Sequence, residues 1–222
     1  METADTIRHL LISALPILIA ITFHEVSHGL VAYKLGDPTA KMLGRLTLNP
    51  IAHIDIFGTI ILPVMLIVLT DGRFVFGYAK PVPINPMNFK NPRKDMALSA
   101  AAGPVTNILL ALLSFLVWKT VLTPLASFTP EGFAEKVLRP LTLIFQSGIV
   151  INVVLASFNM IPIPPLDGGR VLAGLLPYRQ AATFSRIEPF GFIIVLILIY
   201  SGIANYIIMP FIVFFLRLFQ IY

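Results

Sequence analysis

Apolar positions along this chain fall in long blocks rather than in the alternating or one-faced patterns of a water-soluble fold. The blocks cover residues 8–35, 57–70, 96–122 and 140–160, with a long apolar tail at 187–220. A helix that spans a bilayer needs about 20 largely apolar residues, so the first, third and fourth blocks predict spanning helices. The tail is too long for one crossing. Ser201-Gly202 with Asn205 predicts a turn that divides it into helices over about 187–202 and 204–220. The block at 57–70 is short and holds Pro63, so it predicts a segment that dips in or barely crosses. Before it, KMLGRLTLNPIAHIDIFG carries Gly44, Asn49-Pro50 and Gly58, which predict short strands and turns; RFVFGYAKPVPINPMNFKNP, with Pro81, Pro83, Pro86 and Pro92, predicts the same. The expected fold is an α-helical polytopic membrane protein of five to six transmembrane helices. Short strands and a re-entrant segment are expected between the first two core helices. One membrane-embedded domain is expected over 1–222, with a core at about 8–176 and accessory helices at about 187–220.

Composition agrees. Of 222 residues, 57% are hydrophobic and 12% charged, and the mean hydropathy is +0.87. Soluble domains lie nearer ~45–50% apolar and ~25% charged. The N-terminal METADTIRH is acidic where a cleavable leader would be basic, so no leader is expected. A net charge of +5 with no basic cluster beside stacking aromatics gives no reason to expect nucleic-acid binding. Its distribution does orient the chain. If the 57–70 segment returns to the side it left, twelve of the sixteen Lys and Arg fall on one face; if every segment spans, only ten do. Basic residues gather on the cytoplasmic side, so the return is expected, with the N-terminus outside and the chain in the cell membrane. The absence of Cys excludes disulfides, thiolate ligands and Cys nucleophiles. A metal would have to be held by His and carboxylate.

Against this background His24-Glu25-Val26-Ser27-His28 stands out, because ionisable groups at mid-membrane cost ~2.5–3.5 kcal/mol each when charged. Residues i and i+4 share a helix face. Two imidazoles so placed can occupy adjacent corners of a zinc site, with Glu25 presented to the water that the metal polarises. A polar stripe bonded to neighbouring helices is the plainer reading of the same spacing. A catalytic zinc keeps three protein ligands and one open position, and Asp55, Asp71, Asp167 and Glu188 are the carboxylates in or beside apolar segments. Asp167 is singled out by its setting, NMIPIPPLDGGRV. There Pro162, Pro164 and Pro165 forbid regular helix, so an extended, proline-stiffened strand would aim the carboxylate; a loop with Asp167 capping a helix at 168–176 is the alternative. His53 and Asp55 read best as side chains that hydrogen-bond their own turn. His9, Tyr78, Trp118, Tyr206 and Tyr222 fit membrane-interface residues, and Phe211, Phe214, Phe215 and Phe219 fit lipid-facing bulk.

His24-Glu25-x-x-His28 together with Asn159-x-x-Pro162, Leu166-Asp167-Gly168 and Ala102-Gly103-Pro104-Val105-Thr106-Asn107 resembles the site-2 protease family of intramembrane zinc metalloproteases. GRLTLNPIAHID, GTIILP and GYAKPVPINP resemble its short bacterial and archaeal members, although Ile56 stands where those commonly have Pro after His-x-Asp. No PDZ-like or regulatory nucleotide-binding domain is expected. The resemblance implies one zinc on His24, His28 and Asp167, Glu25 as general base, and Asn159 as an oxyanion or substrate partner. The Gly-Pro helix would lie antiparallel between the His-Glu and Asn/Asp helices. Transmembrane protein substrates would be cleaved within the lipid bilayer, toward its cytoplasmic side. A non-catalytic metal-binding or transporter-like membrane protein is the alternative; Glu25 speaks against it, since a transit site needs no carboxylate over an open zinc position. Oligomeric state is not legible.

Overall fold

The computed structural model describes residues 2–70 and 77–221. Expectations for Asp71, for the RFVF half of the second predicted strand, for the His9 side chain and for Tyr222 lie outside the described residues. The elements run α1 (Glu2–Lys34), α2 (Thr39–Met42), α3 (Leu62–Leu69), α4 (Pro92–Leu116), α5 (Thr123–Phe128), α6 (Glu131–Phe133), α7 (Arg139–Asn159), α8 (Asp167–Leu175), α9 (Tyr178–Ser185), α10 (Glu188–Tyr200) and α11 (Ile203–Leu218). Turns of π-helix join α4 to α5 and α6 to α7, giving continuous helical runs over Pro92–Phe128 and Glu131–Asn159.

Among the described residues, three helices are long and apolar enough to cross a membrane, or four if the bent pair α9 and α10, 69° apart, counts as one broken span. This is fewer than the five to six expected from the apolar blocks. Ile56–Leu69 is a six-residue π turn followed by the eight residues of α3, roughly 20 Å at ~1.5 Å per residue, short of a ~30 Å hydrocarbon core. At sixteen residues, α11 is also short. The turn expected at Ser201-Gly202 is present, with Gly202 at φ 77° between α10 and α11.

The described residues contain no strand, so the expected short strands are not found there. Around the predicted ones, Asn49 caps a 3-10 turn at Pro50–His53, accepting from the Ile51 amide at 3.1 Å. The returning chain at 77–85 is fastened to the outgoing one by single bonds, from Tyr78 N to Gly58 O and from Lys80 N to His53 O, both 3.0 Å. Pro81, Pro83 and Pro86 lack the N–H groups a ladder requires. The excursion through 57–70 thus closes on its own starting point. His53 Nε2 donates to Thr47 O (2.8 Å) and Asp55 accepts from Gly58 N (2.7 Å), so both bond their own turn as expected.

α1, α4 and α7 pack against one another; α8 lies along α4, and α11 along α7. Lipid tails are as apolar as Leu, so helices in a membrane are held by close packing of small residues and by hydrogen bonds. Both are present here. Asn107 on α4 donates to Asn152 Oδ1 on α7 (2.8 Å) and to Ala20 O on α1 (3.3 Å), and Asn152 donates on to Gly148 O (2.8 Å). At the other end Ala111, Ile149, Val153 and Phe219 are buried together, flanked by Phe115, Trp118 and Phe215. Of the four tail phenylalanines, only Phe211 and Phe214 are exposed as expected; Phe215 and Phe219 join this core, because a helical face of α11 has to cover α7. Trp118 packs there too, with Phe115 6.4 Å from its ring and Lys119 Nζ 4.2 Å above it.

Candidate active site

α1 brings His24 and His28 to one face, and their rings meet edge to face at 4.6 Å. What orients them is α4. His28 Nδ1 lies 2.7 Å from Ser99 O, a carbonyl that can only accept, so Nδ1 carries the proton. His24 Nδ1 lies 2.6 Å from Asn107 Oδ1, whose own Nδ2 is committed to Asn152 and Ala20. Both histidines are thereby held as Nδ1–H tautomers with bare Nε2 lone pairs turned inward. Between Ser99 and Asn107, Gly103 faces the imidazoles. A Cβ there would lie 2.5 Å from His28 and 2.6 Å from His24. Ser99, Gly103 and Asn107 stand at i, i+4 and i+8, one face of α4.

Asp167 enters from the far end of the chain. Residues 160–166 do not form the extended strand predicted from their prolines. They fold into consecutive tight turns, with Ile163 N bonded to Ile161 O (2.8 Å) and Leu166 N to Ile163 O (3.0 Å). Proline forbids the helix but its φ near −65° suits turns equally well. Leu166 is extended (φ −66°, ψ 157°), and Asp167 opens α8. Gly168 and Gly169 let α8 press against this turn, since a Cβ at Gly168 would strike the Met160 and Ile161 carbonyls. The helix expected near 168–176 and the aimed carboxylate therefore coexist.

The result is a triangle of ligand atoms. His24 Nε2 and His28 Nε2 are 3.0 Å apart, and Asp167 Oδ2 lies 3.1 and 3.3 Å from them. All three side chains are buried. Two inward lone pairs and a carboxylate oxygen with no hydrogen bond of its own repel one another unless a cation lies between them. Bonds of ~2.0–2.1 Å to a tetrahedral zinc place neighbouring ligands about 3.3–3.4 Å apart, so the cluster fits that ion with little adjustment.

A cavity of about 330 Å³ opens over the triangle, lined by Glu25, Asn159, Tyr78, Arg170, Phe192 and Val195 among others. Glu25 is half-buried, and its Oε2 accepts from the Val82 amide at 2.8 Å. Asn159, at the end of α7, is on the cavity wall; its Nδ2 donates to Leu155 O (3.0 Å) and does not touch the triangle. Tyr78 lies on the cavity wall and packs over Gly58. Ser99, Asn107, Asn152 and Val82 were not read as site residues from sequence. The spacing of Ser99, Gly103 and Asn107 along one face of apolar α4 is a signal that could have disclosed the first two, and Asn107 already closes the Ala102–Asn107 motif.

A buried His-His-Asp triangle with a glutamate beside it, set among apolar helices, is a group that could hold a metal ion in a membrane protein. The chain belongs to Peptidase family M50, whose model matches residues 12–202. It is 40% identical to Putative zinc metalloprotease YwhC of Bacillus subtilis over 87% of this chain and 82% of that one. It is 28% identical to Putative zinc metalloprotease Rip2 of Mycolicibacterium smegmatis (91% and 74%) and 28% identical to Putative zinc metalloprotease MJ0611 of Methanocaldococcus jannaschii (73% and 69%). No solved structure matches the chain significantly. Membership and the names of these relatives make it a membrane metalloprotease of the site-2 type with zinc as its metal, and the His24-His28-Asp167 triangle could hold a metal ion.

Proposed function

We propose that this chain hydrolyses peptide bonds of membrane-spanning proteins inside the lipid bilayer, in regulated intramembrane proteolysis at the cytoplasmic membrane. The observation that carries this reading is the placement of Glu25 beside the ligand triangle in one cavity. His24, His28 and Asp167 would hold one zinc, which supplies Lewis acidity to water and to the scissile carbonyl. Glu25 takes the proton of the attacking water and delivers it to the leaving amine. The Asn159 amide carries two hydrogens and spends one on Leu155 O; the other is offered to the carbonyl oxygen as negative charge develops there. Phe192, Val195, Pro165 and Leu166 present an apolar wall to the substrate side chains flanking the bond.

The 57–70 excursion is re-entrant on this reading, in keeping with the bonds that close it at residues 53–58 and 78–80. That places the ligand end of α1 toward the cytoplasm and leaves the N-terminus outside. The test is incubation of purified protein with a panel of single-span substrates in detergent or vesicles, wild type beside Glu25→Gln. Zinc-dependent cleavage by wild type alone supports the reading; equal cleavage by both defeats it.

A further inference from the structure

The bond between Glu25 and Val82 is not accounted for by the zinc site, and everything around it serves to keep it in place. Pro81 and Pro83 have no N–H, so the Val82 amide is the sole backbone donor between Lys80 and Ile84. It is spent on Glu25 Oε2. The Val82 side chain is buried on the same face of α1 one turn further along. Gly29 stands at i+4 from Glu25, and a Cβ on it would lie 2.7 Å from Val82 Cγ1 and 2.6 Å from Leu46 Cδ2. The missing side chain of Gly29 is thus the notch in which Val82 sits.

The strap is pinned on both sides of Val82. Upstream, Arg45 Nη2 donates to Lys80 O at 2.9 Å. Downstream, Asp37 accepts from the Asn85 amide and from Asn88 Nδ2, both at 2.7 Å. Asp37 lies just beyond the end of α1, where Gly36 at φ 112° turns the chain back. The chain that supplies two ligands and the base therefore also supplies, just past the end of the same helix, the anchor for the strap that grips the base.

We propose that Val82 is a positioning residue for the general base: its backbone N–H fixes the Glu25 carboxylate so that one oxygen is held and the other is left to exchange the proton. The proposal rests on the proteolytic reading above. A flexible glutamate would visit several rotamers, whereas general-base transfer needs a heavy-atom separation of ~2.6–3.2 Å. Prolines at 81 and 83 stiffen the donor, so little motion remains to be frozen when substrate arrives.

The test replaces Val82 with its α-hydroxy acid counterpart, an amide-to-ester change that keeps the side chain and removes only the N–H. Hydrogen bonds to charged groups are the stronger class, and kcat on a single-span substrate should fall about 10- to 100-fold. KM should stay within about twofold, since the side chain lining the cavity is untouched, and zinc content should stay near one per chain. Unchanged or increased kcat would overturn the proposal, the second outcome showing that the strap restrains the enzyme. A loss carried by KM, or accompanied by loss of zinc, would also overturn it, showing that the bond serves only the fold. Glu25→Gln run beside it separates the two readings: if that variant cleaves like wild type, the protease assignment fails, whatever the ester does.

Discussion

Asn107 Oδ1 lies 2.6 Å from His24 Nδ1, and the same side chain spans to α7 through Asn152 and to α1 through Ala20 O. The residue that ties the three core helices is thus also the residue that orients His24, which we propose as a zinc ligand. Partners of this kind typically change metal affinity ~10–100-fold when removed. Asn107→Leu, matched in heavy-atom count and branching but without an acceptor, is expected to weaken zinc by about that factor in a chelator competition. Asn107→Asp, which keeps the acceptor, should lose less. Equal affinity in all three proteins would show that the bond does not orient His24.

Removing the ligands themselves should abolish binding. His24→Ala with His28→Ala leaves Asp167 alone, and zinc per chain after dialysis should drop from one to near zero. Zinc supplied at ~100 times its Kd stabilises a protein by about 2.7 kcal/mol, so wild type should melt higher with the metal and the double variant should not. Full occupancy in the double variant would place the ion elsewhere.

Glu25→Gln keeps the size and the acceptor for Val82 N but removes the base. Cleavage should fall about 10²–10⁴-fold while zinc content holds near one per chain. Loss of zinc in this variant would make Glu25 a ligand rather than the base.

Asp37 predicts a pH dependence outside the membrane-spanning segments. Burial by itself would raise its carboxyl, but the bonds from Asn88, Thr39 and Asn85 outweigh that and hold it below the usual carboxylate range. A depressed native pKa contributes stability in full above the unfolded value, near ~3.9. That contribution is lost as pH falls through the native one. Wild type should therefore melt above Asp37→Asn at neutral pH, and the two melting curves should converge in acid below about pH 4. A gap that is constant down to low pH would argue that packing, not the carboxylate, makes the difference.

The topology is open to direct labelling, because the chain has no Cys. In intact cells an impermeant thiol reagent should modify Thr3→Cys and spare Lys90→Cys. Reversed labelling would overturn the orientation and the re-entrant segment together.

Much of the site was legible because its information is local. Residues 24 and 28 share a face in any helix, and in an apolar run their cost demands a common purpose. The membrane class follows from block length alone, and the break at Ser201-Gly202 from backbone preference. Distance along the chain is where local reasoning stopped. Asp167 is 139 residues from His28, and only the packing of α8 on α4 brings its oxygen within 3.3 Å of that ring. The turns at 160–166 were misread as a strand because proline excludes helix without choosing between the remaining backbone states. The strands expected within 41–58 and 73–92 are not found among the described residues for a related reason: turn signals in one segment say nothing of whether its partner has donors, and Pro81, Pro83 and Pro86 do not. Phe215 and Phe219 look like lipid-facing bulk in sequence, since lipid and a neighbouring helix reward the same side chains. Whether a phenylalanine meets an acyl chain or Ile149 is decided by where α11 lies on α7, which is a property of the assembled helices.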